Sequence, residues 1–89
     1  MPNITDKVVL ITGGSKGIGL GIAEVLLEAG LRVAVTSRSA EVAQATADQL
    51  NAKYPGKALG VASDVRNLTA EQKAVDHVVA HFGQLDVLV

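Results

Sequence analysis

The sequence contains no cysteine and no tryptophan, and it has only one tyrosine and one phenylalanine among its 89 residues. Without cysteine the chain cannot form a disulfide, a thiolate metal site or a thiol nucleophile. With so few aromatic side chains it has no surface on which bases would stack. Eight basic and nine acidic residues give a net charge of −1 without runs of one sign. We therefore expect no nucleic-acid partner.

Long hydrophobic runs are also missing. Apolar stretches are interrupted by Gly, Arg or Asp well before the roughly 18 residues that indicate a membrane span. Residues 1–7 contain neither the basic start nor the hydrophobic region of a secretion signal. These features predict a soluble cytoplasmic protein with no membrane partner.

Strand and helix patterns alternate along the chain. Short aliphatic runs predict strands at residues 8–11, 32–36, 58–62 and 85–89. Between these strands, apolar residues recur at helical spacing in three groups: Ile18, Ile22, Val25, Leu26 and Ala29; Ala43, Ala47, Leu50 and Tyr54; and Val75, Val78, Val79 and Phe82. Thr69 and Gln72 have the spacing of a capping box that opens the third helix. This β-α-β-α-β-α-β order predicts an α/β fold, a Rossmann-type doubly wound parallel sheet.

A glycine-rich loop, Thr12-Gly-Gly-Ser-Lys-Gly-Ile-Gly19, lies between the first strand and the first helix. Glycines at such a connection allow a tight turn and close approach of a diphosphate, and the helix N-terminus attracts anions. A tight connection without a ligand is the alternative, but the loop follows a strand and opens a helix as a dinucleotide site requires. The cofactor-binding residues predicted here are Gly13, Ser15, Lys16, Gly17, Ile18 and Gly19.

The residues after the second strand indicate which dinucleotide is bound. An NAD site usually has an acidic residue there to bond the ribose hydroxyls, whereas this chain has Ser37-Arg38. The guanidinium of Arg38 suits the oxygens of a 2′-phosphate. Lys16 adds a second positive charge or is an ordinary solvated side chain. The sequence thus favours NADP over NAD, with Ser37 and Arg38 at the adenosine ribose.

Asp64 and Val65 follow the third strand, where the adenine is expected. The Asp64 carboxylate can accept a bond from the exocyclic amine, and Val65 can supply a backbone amide. The alternative is that Asp64 caps the following turn.

The loop, the Asp64-Val65 pair and the run Leu85-Asp-Val-Leu-Val89 resemble the short-chain dehydrogenase/reductase family over nearly the whole chain. The resemblance implies an oxidoreductase that interconverts alcohol and carbonyl groups of a small molecule, and a homo-oligomeric intact enzyme. It also implies that the catalytic Ser and the Tyr-x-x-x-Lys pair lie beyond Val89. We therefore expect residues 1–89 to be the dinucleotide-binding half of one Rossmann domain, interrupted in its fourth strand and without catalytic residues of its own.

Other interpretations remain open from the residues alone. The chain can be a naturally short, non-catalytic module that binds NADP or a partner chain. A methyltransferase is disfavoured because Lys16 and Arg38 suit phosphates better than S-adenosylmethionine. Tyr54 and Lys57 are one residue too close for the catalytic pair, with Pro-Gly between them. His77 and His81 are four residues apart but lack a third ligand, so no metal site is expected.

Overall fold

A computed structural model describes residues 6–13, 17–64 and 66–89. It contains four strands and three helices in alternation, which confirms the predicted Rossmann-type order. The elements are β1 (Val8–Ile11), α1 (Gly17–Glu28), β2 (Arg32–Ser37), α2 (Ala40–Lys53), β3 (Ala58–Ala62), α3 (Leu68–Phe82) and β4 (Val87–Leu88). Within this described part, no helix combines the length and the apolar character needed to cross a membrane.

The strands form one parallel sheet in the order β3-β2-β1-β4. Val9 of β1 is in register with Val33 of β2 on one side and with Val87 of β4 on the other. Because the chain order reverses direction at β1, the crevice beyond the carboxyl ends of β1 and β4 is a topological switch point, where open α/β sheets bind ligands.

Each face of the sheet has its own apolar core. On one face, alternate residues of β1 and β2 pack against α1 and α2; this core includes Val9, Ile11, Val33, Val35, Ala23, Leu27 and Leu50. On the other face, the intervening strand residues pack against α3; this core includes Val8, Leu10, Ala34, Val61, Ala74 and Val78. All four residues of β1 are buried, as expected for a strand covered on both faces.

The apolar residues that predicted α1 do lie in or next to a helix, but most of them are not on the buried face, although Leu26 packs against the core, partly buried. Ile18 and Val25 are 84% and 66% exposed, and Ile22 is also exposed, whereas Ala23 and Leu27 are buried against the sheet. Both sets of residues have helical spacing. Most positions of α1 are apolar or glycine, so the sequence pattern does not distinguish a buried face from an exposed one. In α2 the prediction is confirmed, since Ala43, Ala47 and Leu50 are all buried.

The start of α3 also differs from the prediction. Asn67, rather than Thr69 with Gln72, caps the helix: its side-chain oxygen accepts bonds from the backbone N–H groups of Thr69 and Ala70. Asparagine is at least as favourable as threonine at this position because its short side chain reaches the free amides of the first turn. The helix ends at Gly83, which has φ +85°.

Strand β4 is shorter than the predicted 85–89. Only Val87 and Leu88 are paired as strand residues, but the backbone hydrogen bonds to β1 continue on both sides of them. Asp86 N–H donates to Val8 O, and Val89 N–H donates to Leu10 O. The whole segment therefore lies along β1.

Candidate functional site

The carboxyl ends of β1, β2 and β3 meet at one edge of the sheet, and the predicted site residues follow them. The connection from β1 is tied to β2 by a bond from Gly13 N–H to the Thr36 hydroxyl at 3.0 Å. The connections from β2 and β3 are tied to each other by a bond from Ser63 N–H to Ser37 O at 2.8 Å. The structure thus brings together three loops that are far apart in the sequence.

Gly13 makes the turn that leads out of β1. Its φ of +70° is in the left-handed region, which glycine adopts readily and other residues rarely do. The hydroxyl that accepts its N–H belongs to Thr36, which is 1% exposed. A buried side chain therefore holds the turn in place. Thr36 was not among the residues predicted from the sequence.

The first turn of α1 faces the same edge. Gly17 begins the helix, and there is no acidic residue in its first turn, so the partial positive charge of the helix N-terminus is not neutralised there. Ile18 is exposed and Gly19 is half-buried in this turn. Ser15 and Lys16, also predicted as site residues, lie outside the described residues.

Ser37 and Arg38 lie where β2 ends. The Ser37 hydroxyl oxygen accepts the Ser39 N–H at 3.2 Å, and the Ser39 hydroxyl in turn accepts the Val42 N–H at 3.3 Å and caps α2. Arg38 is exposed and forms no hydrogen bond or ion pair with another described residue. Within the described part of the chain, its guanidinium is available to an anion at this edge.

Asp64 and Arg66 form a local ion pair after β3. One oxygen of Asp64, Oδ1, accepts the Arg66 backbone N–H at 2.9 Å and Nε–H at 3.1 Å, and the other, Oδ2, accepts Nη2–H at 3.0 Å. The Arg66 side chain, with its backbone N–H and a smaller effect of Arg38, lowers the pKa of Asp64 to about 2. The bond from the Arg66 backbone N–H shows that Asp64 caps the turn after β3, which the sequence analysis gave as the alternative to adenine binding. Val65 lies outside the described residues.

A cavity of about 290 Å³ opens beside these loops, between the sheet and α3. Its polar lining includes the hydroxyl residues Thr12, Thr36 and Ser63, together with Glu71 and Gln72 of α3, and its apolar lining includes Leu10 and Leu88. None of the predicted site residues that the structure describes lines it, although each of the three hydroxyl residues adjoins one of them in sequence. The sequence offered a signal for Thr36 and Ser63, because each is a polar residue at the carboxyl end of an otherwise apolar strand run.

Metal ligation has little support in the described part of the chain. No group of three histidine, aspartate or glutamate side chains there is placed to hold a metal ion. His77 and His81 are both exposed on α3.

Comparison with known proteins fits this geometry. The sequence profile of a family described as short chain dehydrogenase matches residues 7–89. The chain belongs to the short-chain dehydrogenase family. It is 40% identical over 86 residues to cis-2,3-dihydrobiphenyl-2,3-diol dehydrogenase of Pseudomonas sp. strain KKS102, covering 97% of this chain and 30% of that protein. It is 42% identical over 86 residues to D-threitol dehydrogenase of Mycolicibacterium smegmatis, covering 97% of this chain and 33% of that one.

Solved structures of the family superpose closely on this chain. L-sorbose reductase from Gluconobacter frateurii, solved with NADPH and L-sorbose, matches with a TM-score of 0.88 at 35% identity over 97% of this chain and 33% of that one. The 3-ketoacyl-(acyl-carrier-protein) reductase from Brucella melitensis, solved with NADH, matches with a TM-score of 0.85 at 30% identity over 96% of this chain and 33% of that one. The chain thus spans about a third of the length of these short-chain dehydrogenases.

Proposed function

We propose that this chain is the NADP(H)-binding portion of an oxidoreductase that interconverts alcohol and carbonyl groups of a small molecule. The bound nicotinamide would supply the hydride donor or acceptor. The residues present fit such a cofactor: a left-handed glycine turn, a helix N-terminus without acidic residues and an exposed arginine occur at one sheet edge. The diphosphate would lie against Gly13, Ser15, Lys16, Gly17, Ile18 and Gly19.

The observation that carries the choice of NADP is Arg38. It is exposed directly after β2, where an NAD-selective site usually has a carboxylate that bonds both ribose hydroxyls. A guanidinium instead offers paired donors to a phosphate group. Since the related structures include one with NADPH and one with NADH, family membership does not choose between them, and Arg38 supports NADP. Ser37 would lie beside the same ribose, and Lys16 would add charge near it.

Asp64 and Val65 would hold the adenine. The Asp64 carboxylate would accept a bond from the exocyclic amine, and the Val65 backbone amide would bond the ring. The bond from Ser63 N–H to Ser37 O brings the end of β3 beside the end of β2, which supports an adenine position next to the proposed ribose position.

We infer that hydride transfer needs groups outside this sequence. The only tyrosine, Tyr54, is followed by a lysine at the third position rather than the fourth, and Pro55-Gly56 separates them in a turn. Residues 1–89 would then be the dinucleotide-binding half of a single domain. A naturally short, non-catalytic module that binds NADP or a partner chain is the second candidate, and the missing Tyr-x-x-x-Lys pair is compatible with it as well.

The test of cofactor choice is Arg38→Asp, with binding of NADP and NAD measured by calorimetry. Loss of a charge-assisted bond should raise the Kd for NADP by roughly 10- to 100-fold and leave that for NAD within about threefold. Lys73→Asp makes the same charge change on the exposed side of α3 and serves as the matched control. Equal losses for both cofactors in the Arg38 variant would contradict a 2′-phosphate contact.

A further inference from the structure

Two arginines, Arg38 and Arg66, are exposed at the carboxyl edge of the sheet, but their surroundings differ. Within the described residues, the guanidinium of Arg38 has no bonded partner, whereas that of Arg66 donates from both Nε and Nη2 to the Asp64 carboxylate. The Nε/Nη2 edge of the Arg66 guanidinium is occupied by the carboxylate, whose negative charge also offsets that of the arginine, so Arg66 is less suited than Arg38 to bind a phosphate. The two residues therefore have different roles.

The contact restricts the hydrogen-bonding capacity of Asp64. An ionised carboxylate has about four acceptor positions, two on each oxygen. Three of them accept bonds from Arg66: two on Oδ1, from the backbone N–H and from Nε–H, and one on Oδ2, from Nη2–H. As far as the described residues go, one position remains, on Oδ2. The Asp64 side chain is 35% exposed, so a ligand can reach this position.

We propose that Arg66 is a positioning residue that fixes the Asp64 carboxylate so that the remaining acceptor on Oδ2 recognises an amino group of the bound base. The inference deepens the proposed function and rests on it. A bidentate guanidinium holds a carboxylate in one plane, whereas an ammonium group or water does not. Arg66 thereby selects for adenine, which has an exocyclic amine, over a base with an oxygen at that position.

The experiment compares the affinity of the protein for NADP and for nicotinamide hypoxanthine dinucleotide phosphate, which has a carbonyl oxygen instead of the adenine amine. Wild-type protein should bind NADP about tenfold more tightly, because the carboxylate bonds an amine and repels a carbonyl oxygen. In Arg66→Ala this preference should fall to about threefold or less, since a mobile carboxylate discriminates less well.

Arg66→Lys and Lys73→Ala are the matched variants. Lysine keeps the positive charge but not the planar fork, so Arg66→Lys should show the same reduced preference as Arg66→Ala. Lys73→Ala removes a charge from the exposed side of α3 and should keep the full preference. A thermal melt of each variant separates a change in folding from a change in base recognition.

The outcomes separate this inference from the proposed function. If the wild type binds NADP and prefers it over the hypoxanthine analogue, but Arg66→Ala keeps that preference, the role of Arg66 is wrong and the cofactor assignment stands. Full preference in Arg66→Lys would show that charge rather than the fork matters, which also overturns it. If the wild type binds both dinucleotides equally, Asp64 does not recognise the adenine amine, and the inference is wrong. A wild type that binds neither overturns both proposals.

Discussion

The Asp86 carboxylate oxygen Oδ2 accepts the backbone N–H of Val8 at 2.8 Å, which joins the start of β4 to the start of β1 across 78 residues of sequence. The same oxygen accepts the Gln84 side-chain N–H at 2.7 Å, and Lys7 lies 3.9 Å from the other oxygen. These contacts are at the amino edge of the sheet, opposite the candidate site. Asp86 therefore stabilises the pairing of β4 with β1 and lies away from the proposed ligand site.

The Asp86 contacts predict a pH dependence of stability. The Val8 N–H, with smaller effects of Gln84 and of the positive charges of Lys7 and Arg32, lowers the pKa of Asp86. A lowered pKa in the folded state means that the ionised form stabilises the fold above the unfolded-state value of about 3.9, and that this stability is lost as the pH falls through the folded-state pKa. Asp86→Asn should therefore lower the free energy of unfolding at neutral pH, and the difference from wild type should shrink in acid.

Urea unfolding at neutral pH and below about pH 3 measures this difference. Asp76→Asn is the matched control, because Asp76 accepts only the Gln72 side chain on the exposed side of α3 among the described residues. A difference between wild type and Asp86→Asn that does not change with pH would contradict the role of the ionised carboxylate.

Two glycines predict opposite effects of the same substitution. A Cβ on Gly60 would collide with the backbone oxygen of Ala43, which shows how closely β3 and α2 approach. A Cβ on Gly21 would meet no heavy atom of the described residues. Gly60→Ala should destabilise the protein by roughly 1–3 kcal/mol through overpacking, whereas Gly21→Ala should stabilise it by roughly 0.5–1 kcal/mol through helix propensity.

Chemical unfolding of the two glycine variants at equal protein concentration gives both values from one assay. If Gly60→Ala is as stable as wild type, α2 can move away from β3 at little cost, and the close approach does not constrain the fold.

Thr36 predicts an effect on cofactor binding that does not depend on the 2′-phosphate. Thr36→Val removes the acceptor of the Gly13 N–H, which should cost about 1 kcal/mol of stability and loosen the glycine turn. Affinity for NADP and for NAD should fall by the same factor, roughly three- to tenfold. Thr36→Ser keeps a hydroxyl and should bind both nearly as well as wild type. Unchanged affinity in the valine variant would mean that this bond does not position the loop.

Much of the fold could be predicted from the sequence because the patterns were local. The buried strands and the α2 face follow from hydrophobic spacing, and the glycine turn at Gly13 follows from its position after a strand. The buried face of α1 could not be found in this way, since Ile18 and Leu27 are equally apolar and only the packing distinguishes them. Asn67 was missed because the alternative cap, Thr69 with Gln72, has a similarly good local pattern.

Side-chain contacts between different elements of the fold could not be read from the sequence. Asn51 near the end of α2 donates to Ala58 O and accepts Ala58 N–H, both at 2.9 Å, and so holds the first residue of β3. The Asp86 bond to Val8 and the Thr36 bond to Gly13 are of the same kind. At the candidate site, the sequence predicted roles for Arg38 and Asp64 but gave no sign that Arg66 occupies most of the acceptor positions of the Asp64 carboxylate.

The most direct test of a dinucleotide site at the carboxyl edge of the sheet is a titration of ¹⁵N-labelled protein with NADP, followed by amide chemical shifts. We expect saturable shifts that are largest at Gly13, Gly17, Arg38 and Asp64, with little change at the opposite edge around Asp86. No shift up to about 1 mM NADP, or shifts concentrated around Asp86, would contradict a dinucleotide site at the carboxyl edge of the sheet.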